Sequence, residues 1–556
     1  MASRPNILFL LSDEHSFRCL SSRPASRGGE PCHTPALDSL AARGVSFDAA
    51  YSQMPLCTPS RIAMLTGRHS HRCGAWSNSA ILDPGLPTFA SHLGGHGYAT
   101  AAVGKMHLGG CLQHAGFAAR PYGDFGGPCA HQPDPFTKEK GDPGDPGWAM
   151  RSRTFDAGVS QVPEALLQEQ VVVRQSLAWL REHCHAQPET PWLLTASFSR
   201  PHFPLTSPRR FFDRFYPEGV TRPRIGRTGD SADHPMTTGA IAGFRTDEID
   251  EAEMLRARAA YFACVDQLDE ILGDFLHLLE RDGLLDNTLV VYSADHGEMA
   301  GEHGLFWKNT WHEAAVRVPF IFSTPQQRRG EWGPELVRTP VSLADLFPTL
   351  CGVAGVDPPD DLDGVDLSPL LRCAPCPDLE ARRGAISEAL RPRWGAGTEF
   401  RMIRSARHKY VAFRDAPDLA FDLEADPDEQ VDLVRRGGHP DLEPLRQALL
   451  LDFDFGEVET RCQREVADLA QRYGARVTPQ TPNQILRGDG VLVEADAPLY
   501  LPHVVSADLA ADFADFPGHG AASPPDQSPP DGDHADDDPP VAGSPNGSQG
   551  NERTDG

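Results

Sequence analysis

Lysine is nearly absent from this chain of 556 residues. Of 51 basic residues only five are lysine: Lys105, Lys138, Lys140, Lys308 and Lys409. Arginine carries the rest, so a retained lysine marks a place where a compact, tunable ammonium suits better than a planar guanidinium. Positive charge as a whole is in deficit. The formal net charge of −27 argues against nucleic acid or an anionic membrane as a partner. Long apolar runs are missing too. The run after Arg4 is stopped by Asp13 and Glu14, and no small-residue cleavage site follows. It reads as a buried strand, neither a signal peptide nor a membrane span, and the expected location is the cytoplasm. The twelve cysteines show no regular spacing, so mostly reduced thiols are expected. Cys373 and Cys376 form a lone CxxC, a weak indication of metal or redox chemistry.

What is present is the composition of a globular protein, with 40% hydrophobic and 23% charged residues. The length suits a large α/β domain plus a smaller one. Over residues 1–384, apolar strand-like runs alternate with amphipathic stretches, which predicts a large mixed sheet sandwiched by helices. Strands are expected to end at Asp13, near Lys105, just before His202 and at Asp295. A helix is expected after Thr34 and Pro35, with Gly44 as its stop. The Gly- and Pro-rich segments 110–155 and 208–251 read as long loops. Over 385–505 the pattern changes to a small antiparallel sheet, including the stretch from Leu419 to Leu433, followed by one helix over 441–473. Residues 506–556 form an acidic tail, rich in Pro, Gly and Asp, expected to be largely disordered.

Polar residues gather just past the carboxyl ends of the predicted strands, the edge where α/β sheets build sites. The densest pattern is Cys57-Thr58-Pro59-Ser60-Arg61-Ile62-Ala63-Met64-Leu65-Thr66-Gly67. Pro59 is preset for a first helical turn, so Cys57 falls at a helix N-terminus, an end that favours anions. Arg61 lies one turn on. Taken alone, such a cysteine reads first as a structural or simply reactive thiol at a helix start. Asp13 with Glu14, and Asp295 with His296, end two strands. Converging carboxylates beside a site for an anion call for a cation, although a lone strand-end Asp is more often a cap. Lys105 and His107 lie in Gly104-Lys105-Met106-His107-Leu108-Gly109, His202 lies in Pro201-His202-Phe203-Pro204, and Lys308 closes Gly304-Leu305-Phe306-Trp307-Lys308. His15, His69, His303 and His312 lack such settings and read as structural.

The Cys57 pattern resembles the sulfatase signature, and the resemblance extends motif by motif from Arg4 to Pro325. The Lys409-Tyr410 and Phe421-Asp422-Leu423 region is similar to the family's C-terminal sheet. The resemblance implies an alkaline phosphatase/sulfatase-like fold and conversion of Cys57 to formylglycine by a formylglycine-generating enzyme, a transient partner. It implies one divalent metal on Asp13, Glu14, Asp295, His296 and the modified Cys57, with Ca²⁺ first and Mg²⁺ or Mn²⁺ as alternatives. The implied reaction is attack of one hydroxyl of the hydrated aldehyde on sulfur. Arg61, Lys105 and the metal hold the sulfate oxygens, and His202 and Lys308 serve the leaving alkoxide. His107 is the base that takes the second hydroxyl's proton as sulfate departs. Asn78 is a candidate substrate contact. Two positions depart from the usual pattern, Glu14 where relatives carry Asp, Asn or Gln and Met106 where Trp is usual, while His296 rather than Asn also occurs among relatives. His296 is a softer ligand that admits Mn²⁺.

The substrate class is a small anionic sulfate ester of an aryl group, choline or a sugar. A phosphonate monoester or phosphodiester hydrolase of the same superfamily is the alternative. A non-catalytic binding protein on the same scaffold is a third reading. The oligomeric state is not legible.

Overall fold

The computed structural model describes residues 4–78, 80–123, 153–391 and 394–473, together with the backbone of Gln484–Leu486 and Leu492–Glu494. The expected tail 506–556, Lys138, Lys140 and most of the 110–155 segment lie outside the described residues.

The strands of the main sheet are β1 (Asn6–Asp13), β2 (Val45–Phe47), β3 (Ala99–Gly104), β4 (Ala119–Tyr122), β5 (Trp192–Pro201), β6 (Thr288–Ala294), β7 (Phe320–Ser323) and β8 (Glu335–Val337). Among the described residues they lie in the order β8-β2-β7-β6-β1-β5-β3-β4. The sheet is mixed. β1 pairs in parallel with both β5 and β6, and β5 with β3, whereas β7 runs antiparallel to β6 and β2.

The register explains the sequence pattern. β1 is apolar almost throughout because both of its faces are covered. Ile7, Phe9 and Leu11 point into one core layer, with Ile62, Ala63 and Leu65 of helix α1 (Cys57–Thr66). Leu8 and Leu10 point into the opposite layer. That layer holds Val172 and Leu177 of α2 (Gln168–Ala186) and Leu268 and Leu272 of α3 (Glu251–Arg281). Because β1, β3, β5 and β6 run parallel, their carboxyl ends share one edge. Asp13, Lys105, His202 and Asp295 sit at or just beyond those ends.

The smaller sheet is antiparallel: β9 (Ala385–Ala389), β10 (Phe400–Arg404), β11 (His408–Phe413) and β12 (Leu419–Asp422). Strand structure ends at Asp422. Beyond it the chain turns, with Asp426 accepting the N–H groups of Gln430 (2.8 Å) and Val431 (2.7 Å).

Three expectations are corrected. The single helix over 441–473 is two, α4 (Leu442–Leu450) and α5 (Phe455–Tyr473). Asp452 between them adopts a left-handed φ of 56°, and Asp454 caps the second helix by accepting the Glu457 N–H at 2.9 Å. The 208–251 segment is not a plain loop, because Arg209–Phe212 and Pro235–Phe244 are helical. The second of these is started by Pro235 at its first position and by His234, whose ring accepts the Met236 N–H. The helix after Thr34 ends at Ala41, before Gly44. Among the described residues, no helix is long and apolar enough to cross a membrane.

Candidate active site

Cys57 is the first residue of α1, and all ten residues of that helix are buried. The preceding Leu56 offers no capping oxygen. The role falls to Asn78, whose Oδ1 accepts the Thr58 N–H at 3.1 Å. Asn78 is therefore engaged in holding the helix terminus. The Thr58 hydroxyl donates to the carbonyl of His107, which fixes the Lys105–His107 segment against the same terminus. His107 itself has a left-handed φ of 58°.

The Cys57 Sγ stands 3.2 Å from His296 Nε2 and 3.7 Å from Asp13 Oδ1. Ligand atoms of Asp13, Cys57, Asp295 and His296 all lie within 4.8 Å of one another, and all four residues are buried. Asp13, Glu14 and His202 form an overlapping group. Arg61 clamps the first set. Its Nε donates to Asp295 Oδ2 (2.7 Å), its Nη2 to Asp13 Oδ2 (3.0 Å) and its Nη1 to Ser197 Oγ (2.9 Å) and to the carbonyl of Lys105. With four of its five N–H donors so placed, Arg61 has at most one left for a substrate. Lys105 Nζ reaches Asp13 Oδ2 at 2.9 Å, and Lys308 Nζ donates to Glu14 Oε2 at 2.6 Å. His202 Nε2 faces Glu14 Oε2 at 3.5 Å, while its Nδ1 donates to the Phe203 carbonyl at 2.7 Å.

The charges shape one another. Burial works to raise the Asp13 carboxyl, but Lys105, His202 and Arg61 hold it well below the usual range. Burial lifts Glu14 well above that range, with Lys308 opposing and Glu298 adding to the rise. Burial and Asp13 act to raise the Cys57 thiol, yet Lys308, Lys105 and His296 bring it well below an ordinary thiol. Burial lowers His202 to about 3, helped by Lys105 and Lys308. His296 is raised to about 9 because Asp295 and Cys57 outweigh its burial.

This donor set fits a divalent cation. Asp13 and Asp295 supply carboxylate oxygens, His296 an imidazole nitrogen and Cys57 its side chain, all within 4.8 Å of one another, with Glu14 and Glu298 beside them. Arg61 and Lys105 take Asp13 Oδ2, leaving its Oδ1 turned toward Cys57 and His296, and Arg61 takes Asp295 Oδ2, while Asp295 Oδ1 accepts the N–H groups of Glu14 (3.1 Å) and His296 (2.9 Å) and lies 3.6 Å from His296 Nε2. His296 Nδ1 donates to the Gly297 carbonyl at 3.0 Å, which leaves Nε2 as the metal-facing nitrogen.

Glu298 was not singled out from the sequence, although it closes the Asp295-His296-Gly297-Glu298 run. Its Oε1 accepts the N–H groups of Ala300 and Trp307, both at 2.7 Å, and so folds the loop that presents Lys308. Among the described residues, Glu298 Oε2 and Glu14 Oε1 are buried without an N–H or O–H donor, and the two carboxyls lie in hydrogen-bond reach of each other. Elsewhere, His15 is tied to Tyr292 and to the Cys19 carbonyl, and His303 packs on His312. Cys373 and Cys376 are free thiols.

A strand-edge cluster of acids, a buried cysteine at a helix start and guarding lysines form one buried site, and the family matches make the chain a hydrolase of the alkaline phosphatase superfamily. Within it, the sulfatase family model matches residues 5–356, and the model described as N-sulphoglucosamine sulphohydrolase, C-terminal, matches residues 301–450. The chain belongs to the sulfatase family and is a sulfuric ester hydrolase. It is 31% identical to a choline-sulfatase of Rhizobium meliloti (strain 1021), over 81% of this chain and 85% of that one. It is 28% identical to an arylsulfatase of Clostridium perfringens (strain 13 / Type A), over 82% and 95%. A phosphonate monoester hydrolase from Silicibacter pomeroyi shares the fold, with TM-score 0.64 and 21% identity over 88% of this chain and 99% of that one.

Proposed function

We propose that this sulfatase hydrolyses a small sulfate ester of an aryl group, choline or a sugar, through Cys57 oxidised to formylglycine, beside a divalent cation. The observation that carries the reading is the convergence of Asp13, Asp295, His296 and Cys57 on one buried point, clamped by Arg61. Those side chains would hold the metal, with Glu14 at the margin of the set. Ca²⁺ suits the carboxylates, and His296 admits Mn²⁺. The metal supplies neutralisation of the carboxylates and polarisation of a sulfate oxygen. Formylglycine supplies, when hydrated, two hydroxyls on one carbon, so that one can attack sulfur and the other can drive release.

The chain's own residues do the rest. Lys105 binds a sulfate oxygen as it forsakes Asp13. Arg61 acts mainly by holding Asp13 and Asp295 in place, which refines its part as a direct sulfate ligand. Lys308 stabilises the leaving alkoxide. His202, its Nδ1–H held by the Phe203 carbonyl, offers Nε2 to the same region. His107 is the candidate base for the release step. Asn78 holds the start of α1 through Oδ1 and offers its amide N–H groups as the substrate contact. Cys57 has no exposed surface, so its oxidation by a formylglycine-generating enzyme has to precede closure of the fold. The domain limits at 384 and 505 and the cytoplasmic location belong to the same proposal.

Mass spectrometry of the peptide holding residue 57 from the native host tests the modification, and an intact thiol in active protein would refute it. The ratio of kcat/KM on 4-nitrophenyl sulfate to that on an aryl phosphonate monoester tests the substrate. A phosphonate preference would assign the second reading, a phosphonate monoester or phosphodiester hydrolase.

A further inference from the structure

We propose that His408, His439 and Asp441 form a second metal site, for a zinc-type ion, remote from the active site in the C-terminal sheet. His408 is the first residue of β11. His439 lies in the turn that enters α4, and Asp441 is that helix's N-cap residue. Asp441 Oδ2 stands 3.5 Å from His408 Nδ1 and 3.7 Å from His439 Nδ1. The imidazole rings are 4.7 Å apart between centroids. One ligand atom from each of the three residues lies within 4.8 Å of the others. Donors around a tetrahedral zinc, bonded at about 2.0–2.1 Å, stand roughly 3.4 Å apart, so small adjustments bring these three onto one ion once His439 Nδ1 gives up the Asp441 N–H that it accepts at 3.3 Å.

The His408 side chain is only 3% exposed, and its Nε2 is buried with no hydrogen-bond partner. A buried imidazole left so poorly satisfied is unusual in a native fold. Ligation at Nδ1 would replace the long 3.5 Å contact to Asp441 by a bond to the ion, with Nε2 left as it is. The local charge permits it, because the nearby Arg407 is neutralised by Asp422 at 2.6 Å. His439 and Asp441 are 40% and 63% exposed at their side chains, so an ion can enter from solvent. Three protein donors leave a fourth position for water. The set joins β11 to the start of α4, which packs through Leu442, Leu445 and Leu449 on Ile403, Tyr410 and Ala412 of that sheet. Bound metal would fasten this helix at its entry turn.

The test uses the full chain with excess Ca²⁺ present to occupy the active-site carboxylates. Zn²⁺ is titrated by calorimetry and thermal melting, and Co²⁺ by its visible absorption. The expected result is one zinc that Ca²⁺ does not displace, a raised Tm, and the intense band of four-coordinate cobalt. His439→Ala and Asp441→Asn should each weaken zinc binding by at least about tenfold, since even losses outside the ligand shell cost that much. Both should leave aryl sulfate turnover intact. Asp295→Asn should keep the site. Unchanged zinc affinity in His439→Ala, or loss of the zinc only in Asp295→Asn, would overturn the proposal. The proposal does not depend on the substrate reading of the active site.

Discussion

Replacing Lys409 by Met should weaken the fold by about 3–5 kcal/mol, the usual effect of removing one partner from a buried ion pair. Lys409 has no exposed side-chain surface. Its Nζ lies 2.6 Å from Glu429 Oε1 and 3.2 Å from Glu313 Oε1, and both glutamates are 2% exposed. Without the ammonium, two buried carboxylates face each other. That penalty is a large part of a typical stability of about 5–15 kcal/mol. The double variant Lys409→Met/Glu429→Gln should recover most of it, because Glu313 keeps Tyr51 (2.9 Å) and Arg317 (3.3 Å).

The pH dependence supplies a second check. Burial acts to raise Glu313, but Lys409, Arg317 and Arg404 depress it to about 2. A depressed carboxylate contributes stability above its unfolded pKa, and that contribution is lost as pH falls toward the folded value. In Lys409→Met the two glutamates must share a proton, so their folded pKa values rise. The variant's deficit should then shrink as pH falls below about 6. Urea denaturation at several pH values measures both effects. A single variant within about 0.5 kcal/mol of the parent, or a double variant no better than the single, would refute the reasoning.

Three further outcomes are expected. Cys57→Ser should accumulate a sulfated serine at position 57, seen by mass spectrometry, because a single hydroxyl can accept sulfur but cannot expel it; sustained turnover by this variant would count against the mechanism. Glu298→Ala should lower kcat/KM by on the order of 10²-fold through a slackened Lys308 loop, whereas Glu298→Gln, which keeps an accepting oxygen for Ala300 and Trp307, should lose much less; equal losses would remove Glu298 from its positioning part. Asp269 is raised by burial to about 7, despite N–H donors from Ala36 and Leu37. The folded state therefore holds its proton more tightly than the unfolded chain, and stability should fall as pH rises from about 4 to about 7. Asp269→Asn should flatten that slope in urea titrations, and an unaltered slope would exclude the residue as its source.

The main strands were legible because central parallel strands are apolar on both faces, which leaves runs such as the one from Ile7 to Leu11 with polar residues only at its two ends, Asn6 and Ser12-Asp13. The polar strand ends then marked the sheet edge that gathers Asp13, Lys105, His202 and Asp295. What stayed hidden depends on partners distant in sequence. Nothing local says that Arg61 is occupied by Asp13 and Asp295, that Asn78 caps a helix twenty residues earlier, or that Glu298 braces Trp307. The break between α4 and α5 was missed because apolar spacing continues across Leu451 and Phe453, and only the left-handed Asp452 and the Asp454 cap interrupt it.

The scarcity of lysine has a practical consequence. The three described lysines, Lys105, Lys308 and Lys409, are 6%, 6% and 0% exposed. Each has its ammonium against a carboxylate. Amine-directed reagents therefore find no side-chain target on the described surface. Acylating dyes, lysine crosslinkers and aldehyde supports should react slowly with Lys105, Lys308 and Lys409 of the folded protein, and a gain in labelling at these three during heating would serve as a direct clock of unfolding.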